Sequence, residues 1–185
     1  MKRDTSALVM VGAILAIFFV IASMFVKELA FFNISFRIQM PFVDESNFTW
    51  YNAFWGYRDY ENEKIVYFSE STSEVASGVI IIIGGLLCFS KQKTLSLVGP
   101  LLMIIGVGIW SLQLVDHFTQ FLRDLGANPS NYTIFDLIAG SERFPINVFL
   151  IEVGSYTVNW NLGLGYYGVL LGSILSLVDS IKSMK

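Results

Sequence analysis

Thr5–Val26 reads TSALVMVGAILAIFFVIASMFV, a run of 22 residues without a charged side chain. At 1.5 Å rise per residue such a helix measures about 33 Å, enough to cross a hydrocarbon core of about 30 Å. The run is too long for the apolar region of a cleaved leader, usually about 7–15 residues, so a retained helix is favoured. It therefore predicts a membrane-spanning helix.

Three more apolar stretches have the same character, and the four predicted spans lie at about 5–26, 72–90, 94–115 and 161–180. Only Lys91-Gln92-Lys93 separates the second span from the third, which predicts a tight antiparallel hairpin. Hydrophobic residues make up 54% and charged residues 15% of the chain, against about 45–50% and about 25% in soluble domains. Residues 1–185 are therefore predicted to form one membrane domain, an all-α four-helix transmembrane bundle.

Basic residues set the predicted orientation. Six of them lie in three short segments on one side of the spans: Lys2, Arg3, Lys91, Lys93, Lys182 and Lys185. The positive-inside rule places these segments, and both termini, in the cytoplasm. The long loops 27–71 and 116–160 are then extracytoplasmic, in a multi-pass protein of the cell membrane.

Strand patterns in the two long loops predict a small β-containing cap over the bundle. Phe32–Met40 alternates apolar and polar residues, which indicates a strand with one buried face. Glu63–Ser69 and Ile146–Val158 are rich in β-branched and aromatic residues, and the latter is expected to bend at Gly154. Two strands from one loop and one from the other can pair into an antiparallel sheet.

Aromatic and apolar residues elsewhere in the loops suggest contact surfaces. Four aromatic residues within Phe48–Tyr60 form a candidate partner-binding surface: Trp50, Trp55, Tyr57 and Tyr60. The alternative is that they form an aromatic belt at the level of the lipid headgroups. The third helix is predicted to extend to about residue 125, because apolar residues continue at helical spacing as far as Gly126. Tyr132–Ala139 is a candidate interfacial helix.

No residue pattern indicates a catalytic or metal site, and no cofactor is predicted. His117 is the only histidine and Cys88 the only cysteine, too few for a haem, copper, zinc or iron–sulfur site within the chain. Asp116, His117, Glu152 and the aromatic cluster of Phe48–Tyr60 are the only candidate contacts for a metal ion or quinone. For His117, a solvated or hydrogen-bonded surface role at the helix end is favoured. Cys88 is a candidate for acylation, but a buried or lipid-facing thiol is favoured.

Small residues form a ridge along the fourth helix: Gly165, Gly168, Gly172 and Ser176. Such a ridge allows close helix packing, within this chain or against a partner. Three sequons supply candidate glycosylation sites: Asn33, Asn47 and Asn131. If they are used, they indicate an archaeal or eukaryotic source, and the lack of cysteine outside the membrane favours an archaeal membrane or a membrane-enclosed archaeal virus.

The predicted topology is similar to that of the claudin-like four-helix proteins. Trp50–Gly56 (WYNAFWG) resembles their tryptophan-containing first-loop motif, without the cysteine pair that accompanies it. The resemblance implies a long first outer loop, a tight cytoplasmic turn and an outer sheet drawing on both loops. It covers topology only, so no functional residue is carried over.

The predicted function is that of a non-catalytic accessory or structural subunit of a larger membrane complex, such as a respiratory or cell-envelope assembly. The expected partners are the lipid bilayer and other membrane proteins or a second copy of the chain, and nucleic acid is not expected. Three alternatives stay open: a transporter or channel component, a cofactor-free subunit of a membrane enzyme, and a surface adhesion or viral envelope protein. No Asp, Glu, Lys, Arg or His lies within Thr5–Val26, Val75–Ser90 or Thr94–Val115, which argues against ion transport by this chain alone.

Overall fold

A computed structural model describes residues 7–54, 57–59, 65–66, 72–128, 136, 138–148 and 151–183. Its helices are α1 Ala7–Ala22, α2 Thr72–Leu87, α3 Lys93–Asp124 and α4 Leu164–Lys182. Its strands are β1 Phe32–Met40, β2 Val43–Tyr51, β3 Tyr57–Asp59, β4 Ile65–Val66, β5 Ala139–Val148 and β6 Ile151–Leu162. A short 3-10 turn at Lys27–Leu29 leads from α1 into β1.

The strands form one antiparallel sheet in the order β4-β3-β2-β1-β6-β5. The central strand β1 pairs along its whole length with β2 and along most of it with β6, and Ile34 lies between Thr49 and Trp160. Phe32 and Ile34 are buried on one face of β1, and Arg37 and Gln39 are exposed on the other. This is the period-two pattern of a strand with one face against a core.

The helices pack at points where their side chains are smallest. α1 packs on α4, α2 on α3, and α3 on α4. A Cβ added to Gly84 on α2 would lie 2.6 Å from the Gly99 carbonyl oxygen on α3, and a Cβ added to Gly172 on α4 would lie 2.5 Å from the Gly12 carbonyl oxygen on α1. Glycine at these positions lets the backbones approach closely enough for wide van der Waals contact.

The C-terminal half of α3 supports the sheet. With 32 residues, α3 is about 48 Å long and continues well past the other helices. Phe118 contacts Phe32 on β1 with a ring-centroid distance of 5.3 Å, and Phe121 contacts Phe36 at 5.7 Å. The Tyr156 hydroxyl on β6 donates a hydrogen bond of 3.2 Å to the Leu125 carbonyl oxygen. The sheet therefore runs alongside α3, and its inner face and the helix share one aromatic core.

The prediction of a four-helix transmembrane bundle is wrong. Among the described residues, only α3 and α4 are long and apolar enough to cross a membrane. α1 and α2 have 16 residues each, about 24 Å of helix against a hydrocarbon core of about 30 Å. Apolar residues continue past the ends of both helices, so the apolar runs in the sequence overestimate the helix lengths. After α1 the chain turns at Ser23–Phe25, and after α2 it turns at Cys88.

The predicted cap of three strands is too small, since the sheet has six strands among the described residues. The strand expected at Ile146–Val158 is the end of β5 followed by most of β6, which pair with a register shift between Ile146 and Asn147. The sequence analysis does not predict β2 or residues 139–145 of β5, since their sequences do not alternate cleanly. Of the strand predicted at Glu63–Ser69, only Ile65–Val66 is described, as β4. The candidate helix at Tyr132–Ala139 falls largely outside the described residues, although Asp136 and Ile138 are helical and Ala139 opens β5.

Candidate functional site

Exposed apolar side chains form stripes along the outside of the helices. On α1 they recur at helical spacing: Leu8, Val11, Ile14, Phe18 and Ile21. On α4 they do the same: Leu164, Tyr167, Leu171, Ile174, Val178 and Ile181. α2 and α3 add Val75, Val79, Ile83, Leu86, Leu101, Ile105 and Leu112. In a water-soluble protein such stripes usually face the core, whereas here they lie on the outside of the helices.

Polar side chains of β1 and β6 line the outer face of the sheet, which turns away from α3, and Phe48 on β2 shares this face opposite Ser35. The Asn33 amide nitrogen donates a hydrogen bond of 3.0 Å to Asn161 Oδ1, across β1 and β6. Arg37 donates two hydrogen bonds, of 3.0 and 2.9 Å, to the Asp44 carboxylate across β1 and β2. The hydrogen bonds from Arg37 lower the pKa of the Asp44 carboxyl from its ordinary value. This face presents donors and acceptors to solvent or to a partner.

A buried turn at Asn52–Phe54 joins the sheet to three helices. The Ala53 backbone N–H donates to Ser23 Oγ after α1, at 3.2 Å, and Ser77 Oγ on α2 donates to the Ala53 carbonyl oxygen at 3.1 Å. Trp110 Nε1 on α3 donates to the Asn52 carbonyl oxygen at 3.3 Å. Buried backbone groups must find such partners, because leaving them unsatisfied is costly. The turn therefore fixes the orientation of the sheet relative to the helices.

The predicted aromatic partner surface is only partly visible. Trp50 lies on β2 opposite Asn33, and Tyr57 lies on β3 opposite Tyr51. Their side chains, and Trp55 and Tyr60 entirely, lie outside the described residues. Tyr51 packs against the hydrophobic core instead, so at least one aromatic residue of this segment serves the interior.

The candidate glycosylation sites differ in their surroundings. Asn33 lies in the central strand and its amide nitrogen is bonded to Asn161, which leaves it poorly placed to accept a glycan. Asn47 lies on β2 opposite Phe36, with its side chain outside the described part. Asn131 falls entirely outside it.

The small-residue ridge of α4 faces this chain's own elements. A Cβ on Gly168 would collide with the Phe19 ring, and one on Gly165 would collide with the Leu29 carbonyl oxygen. Gly172 packs on Gly12 and Ala16, and Ser176 Oγ donates to the Val9 carbonyl oxygen at 3.0 Å. The ridge is an internal contact in this structure, between α4 and the α1 side of the bundle.

The remaining candidate side chains do not converge. Asp116 and His117 are exposed on α3, and Glu152 lies 3.8 Å from Arg143 on the sheet surface. Within the described ranges, no three His, Cys, Asp or Glu side chains group in a way that could hold a metal ion. Cys88 is fully buried, and burial raises the pKa of its thiol to about 11. The raised pKa disfavours the thiolate, which is the reactive form, at neutral pH.

The sequence reading missed the turn between β1 and β2. Phe42 is 99% exposed, and its neighbours Met40 and Val43 are more than a third exposed. Hairpin turns usually carry Gly, Asn, Asp or Ser, whereas this one reads Met40-Pro41-Phe42-Val43. The sequence signal for this feature is the run of apolar residues on both sides of Pro41. We call residues 40–43 the apolar turn.

Comparisons with known proteins give no assignment: no family model matches the sequence, and no curated protein is significantly similar to it.

Proposed function

We propose that this chain is a non-catalytic integral membrane protein that serves as an accessory or structural subunit of a larger membrane complex, such as a respiratory or cell-envelope assembly. The observation that carries the proposal is the division of its surface. Apolar side chains cover the outside of the helices, and polar side chains line the outer face of a sheet tied to those helices.

The helical side of the molecule is suited to lipid. α3 and α4 satisfy the length and composition of a membrane span, and their exposed side chains are apolar through the middle of each helix. The apolar stripes on α1 and α2 continue this surface. Exposed apolar area of this extent is rare on soluble monomers and marks a membrane or protein contact.

The orientation we propose follows from the basic residues at one end of the helices. Lys91 and Lys93 lie at the α2–α3 turn and Lys182 at the end of α4, all at the end opposite the sheet. Basic residues beside membrane spans favour the cytoplasmic side. The sheet would then stand outside the cell membrane, with both termini inside.

The sheet is suited to holding a partner at a fixed position. It is secured by the Asn52–Phe54 turn and by the aromatic contacts along α3. A surface that does not need to be ordered on binding loses little conformational entropy. The polar outer face can therefore contact a peripheral subunit, as expected of a structural component.

Mild-detergent solubilisation of native membranes, native gel separation and mass spectrometry test the proposal. We expect the chain to migrate with stoichiometric protein partners, and Asn159→Arg on the outer sheet face to weaken that association. Gln120→Arg, on the exposed side of α3, is the matched control and should leave it intact. A chain that migrates alone as a monomer from native membranes would contradict the proposal.

A second candidate, a surface adhesion or envelope protein, is favoured by one observation, the exposed Phe42. An apolar side chain at the end of the sheet farthest from the helices is placed to meet something outside the anchoring membrane. The same native gel distinguishes the two: an adhesion protein would migrate alone or with copies of itself.

A further inference from the structure

We propose that the apolar turn, residues 40–43, inserts into the interface of a second lipid surface facing the membrane that holds the helices. This inference rests on the proposed membrane anchoring of α3 and α4. It adds a contact that the subunit role does not require.

The position of the turn is the first argument. β1 starts beside the end of α1 and has nine residues, so it reaches about 30 Å along the sheet. Tyr156, which pairs with Ile38, bonds the carbonyl oxygen of Leu125 just past the end of α3. The turn follows Ile38, so it lies beyond the end of α3, at the pole of the molecule opposite Lys91 and Lys182.

The exposure of the turn is the second argument. Apart from Phe25 and Val26 next to α1, the large apolar side chains that are exposed in the described part of the chain lie either on the four helices, in the short turn at Phe89, or in the apolar turn. Moving a fully exposed phenylalanine side chain from water into an apolar environment gains about 1.5–3 kcal/mol.

The size of the turn favours lipid over a protein. Stable protein interfaces bury about 800 Å² on each partner, far more than four residues can supply. A lipid interface requires no complementary shape. From Phe42 to Asp44, the first charged residue, the strand rises about 7 Å, which matches the roughly 5–10 Å to which interfacial segments are buried.

The charges next to the turn indicate the kind of lipid. Arg37 and Asp44 neutralise each other in a two-point ion pair at its base. Glu45 follows and is exposed. The rim therefore carries no excess positive charge, so we expect binding to zwitterionic phosphatidylcholine and weaker binding when anionic lipid is added.

A fluorescent probe on the turn tests the proposal with the full chain in nanodiscs. Phe42→Cys can be labelled selectively with an environment-sensitive maleimide, because Cys88 is buried and burial raises its thiol pKa to about 11. With phosphatidylcholine vesicles added, we expect a blue shift and brighter emission from position 42. Ser46→Cys on the same hairpin, also exposed, is the matched control and should not respond.

Binding of the unlabelled chain gives a second readout. Phe42→Asp should reduce the partition coefficient of the nanodiscs onto the vesicles, measured by sedimentation, by about ten- to hundredfold, the factor expected for burial of a phenylalanine. Ser46→Asp adds the same charge four residues away and should leave sedimentation unchanged.

Four results would overturn the proposal. The first is that the label at position 42 does not respond to any vesicle, and the second is that it already reports an apolar environment in nanodiscs before vesicles are added. The third is that the label responds to added unlabelled chain without vesicles. The fourth is that position 42 cross-links only to a protein partner. The second places the turn on the anchoring membrane, the third points to a second copy, and the fourth to a protein. Failure of the subunit role appears separately, as a chain that migrates alone on the native gel while the vesicle response persists.

Discussion

Gly99→Ala on α3 should separate α2 from α3. The added Cβ would lie 2.6 Å from the Gly84 carbonyl oxygen, 2.7 Å from Cys88 Sγ and 2.9 Å from the Cys88 backbone nitrogen. Two of these atoms belong to the backbone, so relief requires the helices to move apart. Overpacking of this kind costs about 1–3 kcal/mol, while replacing a helical glycine by alanine returns at most about 1 kcal/mol. We expect a net loss of about 1–2 kcal/mol in the free energy of unfolding.

Gly108→Ala is the matched control on the same helix. A Cβ there would meet no atom within 4 Å, so only the helix propensity changes and the protein should gain up to about 1 kcal/mol. Thermal unfolding of the chain in nanodiscs, followed by circular dichroism, measures the difference in melting temperature between the two variants.

The reactivity of the Cys88 thiol provides a local measure of the contact between α2 and α3 at Gly99. Its thiol pKa is raised by burial from 9.0 to about 11, and only the thiolate reacts with maleimides. If Gly99→Ala opens the contact and the pKa returns towards 9.0, the reaction at pH 8 should accelerate by up to about 100-fold from the thiolate fraction alone, plus the gain in access. Equal melting temperatures for Gly99→Ala and Gly108→Ala, with Cys88 equally slow in both, would refute the packing reasoning.

Other predictions concern the sheet and its attachment. Ser23→Ala removes the acceptor of the buried Ala53 N–H and should lower the free energy of unfolding, measured with denaturant, by about 1–3 kcal/mol. The control Ser46→Ala, at an exposed position, should leave the free energy of unfolding almost unchanged. Equal denaturation midpoints for the two variants would contradict the role of the Asn52–Phe54 turn. Because the Asp44 pKa is lowered by Arg37, the ion pair should stabilise the hairpin above the ordinary carboxyl pKa and lose its effect as the pH falls through the lowered value. Asp44→Asn should remove that pH dependence, as measured by unfolding at a series of acidic pH values. Asn33 should be unmodified in the native protein, since its amide nitrogen is bonded to Asn161; a glycopeptide at Asn33 in mass spectrometry would contradict this.

The positions of the apolar helices and of the central strand can be predicted from the sequence. Runs without charge mark the places where helices form, and the alternation in Phe32–Met40 coincides with β1, because both patterns are local consequences of backbone periodicity. The ends of the helices are harder to predict from the sequence than their positions. The ends of α1 and α2 depend on the turns at Ser23 and Cys88, where the backbone changes direction while apolar residues continue, so the number of membrane spans was overestimated.

The size of the sheet and the packing partners of the small residues depend on contacts between residues that are distant in the sequence. β2 reads VDESNFTWY, which shows little alternation, and it becomes a strand because β1 supplies hydrogen-bond partners along its full length. The glycine ridge of α4 was compatible with an internal or an external contact until its neighbours were known to be Phe19, Gly12 and Ala16. The exposure of Phe42 likewise depends on what lies around it. Strand pairing and side-chain burial join residues distant in sequence, so no local pattern can specify them.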